Sequence, residues 1–289
     1  MNPIKPLLSQ NFPPQFQHIP QPPIQIYYQG TLPDWEANFL TVVGSRKFSR
    51  YGQEVCEDLI KGLTGYPIII VSGLALGIDS LAHEAALANG LTTIAFPGSG
   101  LDEKVLYPRS NIRLARKIVE AGGALISEFD PLLRGAPYTF PQRNRLMAGL
   151  AKATLIIEAS DKSGTLITAR MALDYNREVL AVPGSIFNQG SSGPNRLIRD
   201  GATPITSSVD ILSVFGFETE GEQAKMNSTL FDSLSDPEKI ICELLAQEAL
   251  PRDLLIEQLD FDIQTINSTL SIMEIKGIIK EAGGEFRLL

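Results

Sequence analysis

Residues 67–89 read PIIIVSGLALGIDSLAHEAALAN, and the fold follows from how this stretch is parsed. Ile68, Ile69, Ile70 and Val71 form a short β-branched run of the kind buried on both faces of a sheet. Ile78, Leu81, Ala82 and Ala85 then recur at helical spacing. Between strand and helix lies a turn with Ser72, Gly73 and Gly77. A loop that leaves a buried parallel strand and opens a helix offers unpaired N–H groups at the positive end of the helix dipole, a ready place for phosphate. Such a loop reads as one wall of a nucleic-acid phosphate site. Taken alone, it is equally a tight connection that binds nothing.

Outward from this unit the same pattern repeats. Residues 39–43 predict a strand ending in Gly44-Ser45-Arg46, with a helix over 51–63; residues 92–96 predict a strand, with a helix over 112–121. Strands are expected at 124–127, 154–157 and 178–182, and helices from 143, over 165–175 and over 194–199, with residues 128–142 irregular. Alternating βα units of this length imply an extended Rossmann-like, mostly parallel sheet with helices on both faces, because parallel strands need right-handed crossovers. Residues 1–38, rich in Pro and Gln, predict an arm lying on that domain, with an edge strand near 24–28. The main domain is expected over 39–216.

Ligands of open α/β sheets bind where the strands exit, and small residues gather there: Gly44-Ser45, Ser72-Gly73, Gly98-Ser99-Gly100, Ser163-Gly164-Thr165 and Gly184-Ser185. Gly lets backbone approach an anion, and Ser or Thr adds a hydroxyl donor. Cations join them: Arg46, Arg109, Arg143 and Arg145 on either side of Asn144, and Lys162. Guanidinium groups offer forked donors to phosphate, and Lys a point charge. Tyr107, Tyr138 and Phe140 lie nearby, available to stack on unpaired bases. The expected nucleic-acid contacts are therefore Gly44, Ser45, Arg46, Ser72, Gly73, Gly77, Arg109, Arg143, Asn144, Arg145, Lys162, Ser163, Gly164 and Thr165.

The net charge of −8 opposes such a partner on its face, but its distribution matters more than its sum. Residues 41–229 carry 19 basic and 19 acidic side chains, whereas residues 230–289 carry 5 and 12. No run of about 18 apolar residues is present, so no membrane helix is expected, and the first residues lack the order of a signal peptide. Two distant cysteines, Cys56 and Cys242, fit a reducing cytoplasm. Neither they nor His18 and His83 have metal-ligand spacing, and no metal or cofactor is expected.

The motifs resemble one family, the bacterial DNA-processing protein A family, also called DprA or Smf. The carriers are VVGSRKFSRYG from Val42, SGLALGIDSLAH from Ser72, GSGLDEKVLYP from Gly98, FPQRNRLMAGL from Phe140, EASDKSGTLITA from Glu158 and GPNRLIRDGA from Gly193. The resemblance implies a Rossmann-like domain that binds single-stranded DNA, protects incoming strands and helps load RecA recombinase during natural transformation. It implies backbone contacts from Arg46 and Lys162, and a homodimer built through this domain. Two departures stand out: the Pro-rich arm replaces the small helical domain found before the Rossmann part of many members, and Thr165 stands where Ser is frequent.

After an expected linker at 217–236, helices over 237–247, 252–258 and 263–276 and a hairpin turning at Gly283-Gly284 predict a winged helix over 237–289. Its acidity, with Gln264, Asn267, Ser268 and Ser271 on the third helix, opposes duplex phosphate and predicts a protein-contacting or dimer-supporting role. The rival function is a nucleotide phosphoribohydrolase-like enzyme. Its chemistry needs a carboxylate shortly after the phosphate loop, yet Lys162-Ser163-Gly164-Thr165 is followed by Leu166, Ile167, Thr168 and Ala169. Asp79, Glu128, Glu158 and Asp161 are the remaining candidates for acid–base work, with capping and loop bonding as their alternative roles. The sequence reading is of a non-enzyme.

Overall fold

The computed structural model describes residues 3–217, 234–245, 250–259, 261–276, 278–282 and 284–288. Most of the expected linker, residues 218–233, lies outside the described residues, as does Gly283 of the expected hairpin turn. The chain forms two units, Met1–Phe217 and Glu218–Leu289.

In the first unit β1 (Lys5–Leu7) and β2 (Ile26–Gly30) precede the alternating series, which opens with β3 (Asn38–Val43), α1 (Arg50–Lys61), β4 (Ile68–Ser72) and α2 (Ile78–Ala88). It continues with β5 (Thr93–Ala95), α3 (Ile112–Glu120), β6 (Ala124–Ser127), α4 (Thr139–Leu150) and β7 (Ala153–Ile156). The series closes with α5 (Thr165–Asp174), β8 (Glu178–Ala181), α6 (Ser192–Arg199), β9 (Thr203–Pro204) and α7 (Ser208–Phe215). The nine-stranded sheet has the order β1-β2-β6-β5-β4-β3-β7-β8-β9. Strands β3 to β9 are parallel, whereas β2 runs antiparallel to β6 and β1 to β2.

Strand side chains alternate faces, so a run of apolar residues feeds two cores. Phe39 and Val43 enter one cluster with Leu146, Met147, Ala169 and Ala172 of α4 and α5. Leu40 and Val42 enter the other, with Leu59, Ile60, Ala82, Ala86 and Leu212 of α1, α2 and α7. Ile68 and Ile70 join the second cluster and Val71 the first, which is why the β-branched run has no polar position. Two buried strand hydroxyls are satisfied by neighbouring backbone: Thr41 Oγ1 donates to Met147 O at 3.0 Å and Thr93 Oγ1 to Ile70 O at 2.9 Å.

Two expectations change. Helix α4 begins at Thr139, upstream of the expected 143, because Pro141 sits in its first turn, where a missing N–H forfeits no helical bond. The proline-rich arm is more than a cover. Phe16 and Ile19 are buried in the first cluster, and Gly149 lacks the side chain that would meet Ile19 Cγ2 at 2.5 Å. Trp35 Nε1 donates to Asn11 O at 3.1 Å, and Gln15 Nε2 to Trp35 O at 2.6 Å, pinning the segment by single anchors.

The second unit has α8 (Asp236–Leu245), β10 (Leu250–Pro251), α9 (Arg252–Gln258), α10 (Ile263–Ile275), β11 (Ile279–Ala282) and β12 (Glu285–Leu288). Its three-stranded antiparallel sheet has the order β10-β12-β11, around a core of Ile241, Leu255, Ile266, Leu270, Met273 and Phe286. This is the winged-helix arrangement expected, with β10 as a strand the sequence reading did not place.

Candidate nucleic-acid interface

Chain order reverses beside β3: β4, β5 and β6 lie on one side of it and β7, β8 and β9 on the other. The loops after β3 and β7 therefore splay apart, and the crevice of a doubly wound sheet opens between them. A cavity of about 730 Å³ lies there, lined by Gly44, Ser45 and Arg46 after β3, by Ser160, Ser163, Gly164 and Thr165 after β7, by Phe140, Arg143 and Asn144 of α4, and by Gln189 and Gly190 after β8.

The loop after β3 is set by two glycines. Gly77 has φ +88°, and a Cβ on it would lie 2.2 Å from Ser45 O, while a Cβ on Gly44 would meet Ile78 at 2.6 Å. Ile78 N donates to Ser45 O at 3.1 Å, so the start of α2 carries this loop directly. Across the crevice Thr165 Oγ1 donates to Gly44 O at 3.0 Å, tying the start of α5 to the first loop. Ser163 Oγ accepts from Thr165 N at 3.2 Å. Glu158 accepts from Ser49 N at 2.9 Å and Ser49 Oγ at 2.6 Å, joining the loop after β7 to the N-cap of α1. Gly164 is different. It has an ordinary helical conformation and nothing within 4 Å of a built Cβ, so the protein's own packing does not require glycine there.

Arg46 is exposed, with its guanidinium 5.6 Å from the Phe140 ring centre, and Tyr107 lies 5.7 Å from the same ring. Cation and rings together make a charged aromatic platform at the crevice mouth. Lys162 is exposed on the loop between Ser160 and Ser163, and its side chain has no partner among the described residues. Tyr138 is also exposed.

Other expected contacts are committed elsewhere. Ser72 is buried and donates to Val42 O at 2.6 Å, and Gly73 N donates to Asp79 Oδ2 at 3.1 Å, so the loop after β4 offers neither group to a ligand. Arg143 is buried beneath the crevice, donating to the Gly73 and Phe96 carbonyls and to Asn144 Oδ1. Burial pulls its pKa down to about 10, with Asp79 opposing and Arg46 adding to the shift. Burial pushes Asp79 up from the usual carboxylate range, against the pull of Arg143. Arg143 and Asp79 thus brace Gly73 from its carbonyl and its N–H respectively.

Arg145 does not reach the crevice at all. Two helical positions turn the chain by about 200°, so Arg143 and Arg145 face opposite ways, and Arg145 forms a buried ion pair with Glu128. Arg109 is exposed in a short helical turn after Pro108, outside the crevice lining. The sequence reading missed the contribution of Gln189 and Gly190, although the loop after β8 was in view as one of the five strand exits. Among the described residues no group of three His, Cys, Asp or Glu side chains is placed to hold a metal, and no helix is long and apolar enough to cross a membrane.

Residues 5–216 match the family model for DNA recombination-mediator protein A, and residues 229–285 that for the DprA winged helix domain. Protein Smf of Escherichia coli is 38% identical over 97% of this chain and 76% of its own length. DNA processing protein DprA of Streptococcus pneumoniae is 40% identical over 73% of each chain. The X-ray structure of that S. pneumoniae protein superposes with a TM-score of 0.68 at 39% identity, covering 73% of this chain and 74% of its own. DNA processing protein A of Helicobacter pylori, whose structure concerns its single-stranded DNA binding mode, superposes with a TM-score of 0.67 at 28% identity, covering 74% of this chain and 96% of its own.

Proposed function

The chain belongs to the DNA recombination-mediator protein A family, and from that premise we propose that it binds single-stranded DNA in the crevice between β3 and β7, protects the strand and helps load a RecA-type recombinase during natural transformation and recombination. The observation that carries this reading is Arg46, an exposed guanidinium held over Phe140 beside Tyr107. It can pair with a phosphate while the rings meet unstacked bases, a combination that suits single strands better than a closed duplex. Lys162 adds a second cation, and the open space at Gly164 lets a backbone approach the start of α5. Homodimerisation and a cytoplasmic location belong to the same proposal; two buried free thiols, Cys56 and Cys242, support the latter.

Three of the four carboxylates an enzyme reading would use have other tasks, and the fourth, Asp161, is exposed beside Lys162. Asp79 bonds Gly73, Glu128 pairs with Arg145, and Glu158 holds Ser49, while Leu166 to Ala169 supply none after the phosphate-loop candidate. For the winged helix we propose a protein-contacting or dimer-supporting role, supported by its acidity.

The test of the mediator role is recombinase loading on oligo-dT precoated with a single-strand binding protein. The chain is expected to shorten the lag before recombinase ATPase activity, and Arg46→Ala with Lys162→Ala to restore the lag. An unchanged lag with the wild-type chain, despite measured strand binding, would remove the loading role and leave the binding role standing.

A further inference from the structure

The loop after β8 presents Ile186 and Phe187 to water at 84% and 92% exposure. Yet its backbone is held from several sides. Pro183 O accepts from Tyr51 Oη at 2.7 Å, and Asn195 clamps Gly184, accepting from its N at 3.2 Å and donating to its O at 2.9 Å. Phe187 N donates to Ser185 Oγ at 3.3 Å and Asn188 N to Ser185 O at 3.0 Å. Beyond the tip, Gly190 O accepts from Ala159 N at 2.8 Å, which fastens this loop to the one after β7. Two adjacent apolar side chains thus stand in solvent on a braced support.

Their position suggests the occupant. Gln189 and Gly190 of the same loop line the crevice, and the Cα atoms of Phe187 and Gln189 are at most about 7 Å apart along the chain. Along the strand-exit edge, the loops after β5, β4, β3, β7 and β8 follow one another, carrying Tyr107 first, Arg46 and Lys162 in the middle and Phe187 last. At the usual strand spacing this edge is about 19 Å long, room for a few nucleotides. The exposed apolar pair is too small to serve as a protein interface by itself, which needs about 800 Å² on each partner. A flat ring at the end of a cationic track suits the face of an unpaired base.

We propose that Phe187, flanked by Ile186, is a second base-stacking platform, so that a single strand crossing the crevice is gripped by rings at both ends and by cations between them. This rests on the single-strand reading above. It assigns Phe187 to bases rather than phosphates, and that difference is measurable.

The experiment compares labelled oligo-dT with an abasic deoxyribose-phosphate strand of equal length, using wild type, Phe187→Ala, Phe187→Trp and Arg46→Ala. Phe187→Ala is expected to weaken oligo-dT binding about fivefold or more, to leave the abasic strand unaffected and to keep the salt slope unchanged. Phe187→Trp is expected to restore affinity, and its fluorescence to be quenched by oligo-dT beyond the signal of Trp35, the chain's one natural Trp. Equal oligo-dT affinity in wild type and Phe187→Ala, with Arg46→Ala impaired, would overturn this inference and spare the crevice reading. So would an equal loss on the abasic strand, or a shift of Phe187→Ala to a smaller oligomer that accounts for its weaker binding. No strand binding by the wild-type chain would overturn both.

Discussion

Two cations at the strand-exit edge of the first unit and two in the winged helix are used in opposite ways. Arg46 and Lys162 have no carboxylate partner within ion-pair distance among the described residues. In the second unit Lys276 Nζ is 2.6 Å from Glu238 Oε1, and Arg252 reaches Glu281 at 3.5 Å while lying 5.4 Å from the Phe286 ring centre. The polar face of α10 is similarly engaged: Ser268 and Ser271 donate back to the carbonyls of Gln264 and Asn267. An unpaired cation keeps its donors for a ligand, whereas a paired one serves the fold. Location on a DNA-compatible scaffold does not decide between these uses; the surrounding carboxylates do.

The largest expected effect lies in the crevice. Arg46→Ala with Lys162→Ala should weaken oligo-dT binding about 100-fold, from the loss of two charge-assisted contacts. It should also lower the magnitude of the salt slope by about 1.4, with the melting temperature nearly unchanged. A stability loss matching the affinity loss would place these side chains in the fold instead, and the contrast between the units would collapse.

Gly164→Ala sharpens the comparison because the added methyl meets no protein atom. Stability should hold or rise slightly, while strand affinity falls several-fold if a backbone approaches there. Gly77→Ala should instead destabilise the protein, since φ is +88° and the methyl would strike Ser45 O and Arg46. Thermal melts and strand titrations of the two variants, taken together, separate space kept for a ligand from space required by the chain.

A smaller effect is expected at Lys276→Met, which leaves the Glu238 carboxylate without its ion partner. The second unit should lose about 1 kcal/mol, read as a lower melting temperature, and strand affinity should not change. Burial raises the Glu238 pKa, but bonds from Lys276 and Ser235 outweigh it and hold the carboxyl below its ordinary value. The resulting stabilisation is present above the unfolded carboxyl pKa and is lost as pH falls through the folded one. Glu238→Gln should therefore flatten the acid limb of a melting profile below the ordinary Glu range, about pH 4.3. An unchanged limb would show that this pair contributes nothing.

The βα series was legible because its signals repeat: a β-branched run such as 68–71, a glycine-containing turn and helical spacing such as Ile78 to Ala85 recur along the chain. The arm was legible as a cover with a strand near 24–28 but not as part of the core, since Phe16, Ile19 and Trp35 act as isolated anchors and no periodicity announces them. At the site, the residue types at the strand exits pointed to the edge where the crevice opens but not to each side chain's direction. Ser72 and Arg143 turn inward because neighbouring backbone carbonyls compete for their donors, which depends on contacts distant in sequence. The separation of Arg143 from Arg145 was available from the helical repeat alone.

The most direct measurement is fluorescence anisotropy of labelled oligo-dT and of its duplex form over a salt series. Tight single-strand binding that weakens steeply as salt rises is expected, with the duplex bound much more weakly. No binding to either form at low salt, or equal affinity for both, would contradict it.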